Sequence, residues 1–176
     1  KTIDGDAPMM AQVGLNGMIS DQTQRVFLPS GLPMTLLARM LWDSSLEYDA
    51  VADDYFSAAF GVDGDKCRAY LEQISKGFNP QWLSTYQSVN GAPAPEGTVA
   101  RLRGLRAIID EFGPVIEKNL GLDSHVQARS WEYLAFHADV CVLLSRALEA
   151  QFMSGRDEAE PFWRKLEALV AERESD

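Results

Sequence analysis

The chain has 176 residues, 46% of them hydrophobic, and a formal net charge of −10. This length and apolar content are typical of one globular domain, or of one domain with a short attached piece. The acidic balance argues against nucleic acid or an anionic membrane surface as partner, because both are bound by clustered lysine and arginine. No apolar run approaches the roughly 18 residues of a membrane-spanning helix.

The first part of the chain predicts a helix end, a strand and a loop. Residues 9–13 are expected to end a helix, with Gly14 as its stop. Met18 and Ile19 then predict a very short buried strand, which a polar loop follows. A strand this short is not stable alone, because both of its edges are unpaired. We therefore interpret it as the last strand of a larger sheet.

The segment from Leu32 to Gly61 predicts two helices joined by a tight corner. Pro33 is tolerated in the first turn of a helix, because its missing N–H would be unpaired there. Trp42 ends the first helix and is expected to be a buried pivot between the two helices. Asp49 is the predicted N-cap of the second helix.

The remaining chain predicts four more helices. The first of these is expected over residues 65–76, and a connector rich in proline and glycine over 77–98. Apolar residues then step by three and four, the pattern of a bundle helix. Asp123 or Ser124 is expected to cap a long helix to about Met153, and Asp157 to begin the last helix. The predicted inward positions of the long helix are Val126, Tyr133, His137, Val140, Leu144 and Leu148.

These elements predict an all-α fold class with a short barrel-like or sheet-like stub. The stub, its loop and the first helices occupy residues 1–76, the connector 77–98 and a C-terminal up-down helical bundle 99–176.

The charged and sulfur-containing side chains favour structural roles. Asp63 and Asp65 supply only a fragment of the ligand spacing of a calcium loop, so helix capping and a solvated face explain the acidic cluster around them. The two histidines are twelve residues apart and cannot form a helical metal pair. His137 is expected to be a core histidine whose ring nitrogen meets a carbonyl or carboxylate. Cys141 lies in an apolar helix pattern, which favours a buried free thiol over a disulfide.

The arginines that open the bundle favour pairing with neighbouring carboxylates over anion binding. Arg103 and Arg106 share a helix face, and Asp110 stands four residues beyond Arg106, where a helical ion pair is expected. No catalytic residue, metal site or cofactor is predicted from these clusters.

The polar loop after the predicted strand is the candidate site. Asp21, Gln22, Gln24 and Arg25 follow that strand at once. If the strand belongs to a barrel, this loop leaves its C-terminal end, where barrel enzymes build their active sites. Amide, carboxylate and guanidinium groups suit sugar hydroxyls or an anionic sugar. The alternative is an ordinary surface loop.

The pattern LNGMIS, a polar loop and LPMTLLARMLWDSSLEYDAVADDYFSAAFG resembles the C-terminal end of a family of bacterial glycoside-hydrolase-like proteins. The family has TIM-barrel architecture and is distantly similar to α-glucuronidases. The matching motifs are Leu-Trp-Asp-Ser-Ser-Leu over 41–46 and Phe60-Gly61, and the resemblance covers about residues 9–75. It implies that the stub is the end of a TIM barrel, whose catalytic carboxylates would come from earlier strands that are absent here.

Two function classes follow. In the first, the chain is the helical C-terminal portion of a carbohydrate-active protein and has no catalytic residues of its own. In the second, it is a non-enzymatic helical module that binds another protein. Either class predicts an exposed apolar patch around Met9, Met10, Met34 and Met40, which a missing barrel or a partner protein covers.

Overall fold

The computed structural model describes residues 5–6, 9–10, 12–15, 28–78 and 96–173. Within these ranges the chain forms helices and turns and no β-strand, which confirms the all-α class. The predicted strand at Met18 and Ile19 and most of the 77–98 connector lie outside them. The principal helices are α1 Leu32–Trp42, α2 Tyr48–Phe60, a 3-10 turn Gly61–Asp63, α3 Gly64–Gly77, α4 Thr98–Asn119, α5 His125–Ser154 and α6 Arg156–Arg173.

Several predicted boundaries are confirmed. Near the start of the chain, Val13 N donates to Met9 O at 3.0 Å, and Gly14 has a φ of 79°, the left-handed conformation of a helix stop. Gly155 separates α5 from α6 with a φ of 96°. The N-cap of α5 is Ser124, whose hydroxyl accepts from Gln127 N at 3.4 Å.

The predicted N-cap of α2 is wrong. Asp49 lies inside the first turn, because the helix already begins at Tyr48 and Glu47 holds the extended N-cap backbone. Glu47 makes no side-chain cap hydrogen bond, so the carboxylate of Asp49 contributes through its charge near the positive helix end.

Contacts between residues divide the chain into two units. The first comprises Lys1–Cys67 and Leu120–Leu134, and the second comprises Arg68–Asn119 and Ala135–Asp176. Helices α3 and α5 therefore each contribute residues to both units.

In the first unit, α1 and α2 share a small apolar core. Leu36, Met40 and Val51 are buried, and Leu46 and Tyr48 pack against them. Met40 is only 2% exposed, so its predicted place in an exposed patch is wrong. It points to the same side of α1 as Leu36, one turn earlier, and that side faces α2.

The prediction that Trp42 is buried is also wrong, since its side chain is 94% exposed. An α-helix turns about 100° per residue, so Trp42, two residues after Met40, lies about 200° around the helix from the buried face. The short corner leaves the ring on the outer side of α1.

The C-terminal end of α2 is held by side chains from α5. The buried indole Nε1 of Trp131 donates to Phe60 O at 3.1 Å, and Gln127 Nε2 donates to Ala58 O at 3.3 Å. The Trp131 ring also meets the Phe60 ring edge to face, with centroids 5.2 Å apart. These contacts satisfy carbonyl groups that the end of a helix leaves without partners.

In the second unit, α4 carries its predicted apolar face. Leu102, Leu105, Ile109 and Ile116 are buried, while the half-buried Phe112 stacks on Tyr70 with ring centroids 4.3 Å apart. The inward face of α5 differs from the prediction. Its buried positions are Trp131, Leu134, Ala138, Cys141, Ser145, Ala147 and Leu148, whereas the predicted position Val126 is 66% exposed.

Candidate functional site

The sugar-binding site predicted at Asp21, Gln22, Gln24 and Arg25 lies outside the described residues. The structure does describe where the chain leaves that loop. Gly31 N donates to the Tyr55 hydroxyl at 2.6 Å, which ties the start of α1 to α2. Burial raises the pKa of Tyr55, although hydrogen bonds with Gly31 and Ser30 oppose the shift. Tyr55 is therefore a neutral anchor for the chain that follows the loop.

His137 and Cys141 are the first candidate for chemistry in the described residues. They stand one turn apart on α5, with His137 Nε2 3.4 Å from Cys141 Sγ, where the sequence predicted a carbonyl or carboxylate. Burial lowers the pKa of His137 to about 4 and raises the pKa of Cys141 to about 12. A nucleophilic cysteine requires the thiolate. Both groups are neutral near pH 7, so the pair is structural, and Cys67 and Cys141 are buried free thiols.

The arginines of α4 form a second cluster with a carboxylate of α5. Arg103 Nε donates to Glu149 Oε1 at 2.6 Å, and Arg106 pairs with the other oxygen of Glu149. Burial alone would raise the pKa of Glu149, but hydrogen bonds from both arginines outweigh it and lower that pKa. The predicted Arg106–Asp110 partnership is therefore wrong, because Glu149 offers a largely buried carboxylate. The arginines serve structural pairing, as expected, and their charge is already compensated.

The acidic residues provide no metal centre in the part of the chain that the structure describes, where no group of three metal-binding side chains comes together. Asp63 is 3% exposed and accepts from Lys66 Nζ at 2.7 Å, so this buried carboxylate belongs to an ion pair. Among the same residues, no helix is long and apolar enough to cross a bilayer.

The remaining candidate is the corner between α1 and α2, here called the Trp42 corner and comprising residues 41–47. Trp42 is 94% exposed and its neighbour Leu41 is 44% exposed. An indole ring is the side chain with the largest apolar surface, and leaving it in water forgoes a substantial part of the free energy of burial. A surface of this kind is typical of a binding site.

The backbone of the Trp42 corner is held in place. Asp43 ends α1 and accepts from Ser45 N at 3.0 Å and from Ser45 Oγ at 2.6 Å, a local turn in which the carboxylate replaces a backbone acceptor. These hydrogen bonds lower the pKa of Asp43, so it is ionised near pH 7. Arg39 Nη1 donates to Asp54 Oδ2 at 2.8 Å and links the last turn of α1 to α2.

The sequence alone did not identify this site, although a signal was present. Applying the helical rotation to Met40 and Trp42 separately would have placed the two side chains on opposite faces of α1. The motif that carries the resemblance, residues 41–46, occupies the same corner. No family model, curated protein or solved structure matches the chain.

Proposed function

We propose that the chain is a non-enzymatic helical module that binds another protein at the Trp42 corner. The observation that carries this proposal is the 94% exposure of Trp42. Tryptophan is among the residues that contribute most to binding free energy in protein interfaces.

The held corner supports the same function. Association is opposed by the loss of side-chain and loop freedom, and a rigid surface loses less of it. The Asp43 turn and the Arg39–Asp54 pair already restrict the corner before a partner arrives. Leu46 packs on the α1–α2 core from within the corner. Trp42 is thus presented from a backbone that needs little reorganisation.

A second proposal comes from the resemblance to glycoside-hydrolase-like proteins. In it, the chain is the helical C-terminal portion of a carbohydrate-active protein, and its first part is the end of a TIM barrel. The missing barrel would then cover the Trp42 corner, and Asp21, Gln22, Gln24 and Arg25 would contribute to sugar binding. The observation that favours this proposal is that the motif residues Trp42 and Asp43 lie at the exposed corner.

Selection from a library of short random displayed peptides tests whether the corner is a docking surface. Peptides selected on the unmodified chain are measured again on Trp42→Ala and on Val62→Ala. Val62 is 92% exposed in the same unit and serves as the matched control for loss of an exposed apolar side chain. We expect most selected peptides to bind Trp42→Ala at least about tenfold more weakly and Val62→Ala unchanged.

The same variant separates binding from folding. Because Trp42 is exposed, Trp42→Ala should keep the free energy of unfolding within about 0.5 kcal/mol of the unmodified chain. Peptides that bind both variants equally well would show that the corner is not a docking surface.

A further inference from the structure

We infer that the partner of the Trp42 corner is a basic protein surface, in which an apolar centre is surrounded by lysine or arginine. This inference rests on the proposed function and adds the chemistry of the partner. The observation behind it is the charge around the exposed ring. From Arg39 to Asp54 the chain carries five carboxylates and one guanidinium.

The carboxylates are placed where a partner on Trp42 would meet them. Asp43 directly follows Trp42 and is ionised, and Glu47 closes the corner. Five residues of chain span at most about 18 Å, so both charges lie within the footprint of an ordinary protein interface. The other three are Asp49, Asp53 and Asp54, and all five side chains are exposed.

The single arginine of this stretch does not offset the negative charge. Arg39 is paired with Asp54 at 2.8 Å, which leaves the other carboxylates to set the sign of the local potential. Charges at the rim of an interface act mainly on the rate of association and on the choice of partner. The apolar centre, Leu41 and Trp42, then supplies most of the affinity.

Other occupants are disfavoured by the same charges. A second copy of the chain would bring another net charge of −10 to the same surface. Anionic lipid and nucleic acid would be repelled for the same reason. A basic protein surface is the occupant that complements both the exposed ring and its acidic surroundings.

The composition of the selected peptides tests this inference. Among peptides that depend on Trp42, we expect enrichment of lysine and arginine on both sides of an apolar residue. If Trp42-dependent peptides are neutral or acidic, the docking surface stands and the basic partner is wrong. If the selected peptides do not depend on Trp42, the proposed function fails as well.

A synthetic peptide of the selected consensus then tests the role of the carboxylates. Its affinity is measured on the unmodified chain, on the double variant Asp43→Asn/Glu47→Gln and on Val62→Ala, at low salt and at roughly 1 M salt, where charges are screened beyond about 3 Å. We expect the double variant to bind about threefold to tenfold more weakly at low salt and to differ little from the unmodified chain at high salt. Equal affinities at low salt, or stronger binding of phosphatidylserine vesicles than of the peptide, would overturn the inference.

Discussion

Gly64 lies at the start of α3 against the backbone of α2. A Cβ atom built on Gly64 would be 2.4 Å from Phe56 O, although the backbone itself is ordinarily helical, with φ −56° and ψ −44°. By contrast, a Cβ on Gly104 in α4 would meet nothing within 4 Å. The absence of a side chain is thus required at one helical glycine and not at the other.

These two positions predict opposite effects of the same substitution. Gly64→Ala should lower the free energy of unfolding by about 1–3 kcal/mol, because a backbone oxygen cannot rotate away from the new methyl group. Gly104→Ala should raise it by about 0.5–1 kcal/mol, because alanine favours the helix. Urea denaturation measures both, and a stabilised Gly64→Ala variant would contradict the close approach.

His137 predicts a dependence of stability on pH. Burial lowers its pKa from 6.5 to about 4, so between these values the unfolded chain binds the proton more readily than the folded chain. Stability from this residue is therefore complete above about pH 6.5 and is lost as the pH falls toward 4. Between pH 7 and pH 5 the loss should be about 2 kcal/mol.

The variant His137→Gln should remove this part of the pH dependence. Unfolding by urea at pH 7 and pH 5 measures it, and His125→Gln serves as a control because His125 is exposed at the start of α5. If His137→Gln and the unmodified chain lose the same free energy between the two pH values, the ring is not buried in its neutral form.

At the scale of the elements, the end of α2 depends on α5. Trp131→Phe keeps an aromatic ring but removes the N–H that Phe60 O accepts, and it leaves that carbonyl buried. It should lower the free energy of unfolding by about 1–3 kcal/mol. Trp163→Phe is the matched control, because its indole donates to Gln151 Oε1 at 3.2 Å in a more accessible place. Equal losses in the two variants would show that the Trp131 hydrogen bond does not hold α2.

The sequence predicted where helices begin and end better than which face they bury. Pro33, Ser124 and Gly155 act locally through backbone geometry, so their effects on helix ends follow from their own chemistry. The buried face of α5 depends instead on tertiary packing. Small residues such as Ala138 and Ser145 fill it, and a pattern based on large apolar side chains passed over them.

The candidate site shows the same division. The polarity of the loop with Asp21 and Arg25 is evident in the sequence, but its surroundings depend on chain that lies outside the described residues. Trp42 is an apolar residue next to the apolar Leu41, and composition alone favours burying it. Its exposure follows from the short corner and the helical rotation past Met40, which require the backbone to be known.

At the scale of the whole molecule, we expect the chain alone to hydrolyse no glycoside. Inverting and retaining enzymes both place two carboxyl groups on either side of the scissile bond. The resemblance assigns those groups to earlier barrel strands, and this chain lacks them. Release of nitrophenol from aryl glucosides and glucuronides should stay at the level of buffer. Turnover that Asp21→Asn abolishes would contradict the prediction and favour an active loop.

The central claim is that the Trp42 corner receives a protein partner. The most direct test is fluorine NMR of the chain labelled with 5-fluorotryptophan, in which Trp42→Phe assigns one of the four tryptophan resonances. Adding the consensus peptide should shift and broaden the Trp42 resonance and leave the buried Trp131 resonance in place. An unchanged Trp42 resonance under saturating peptide would contradict the claim.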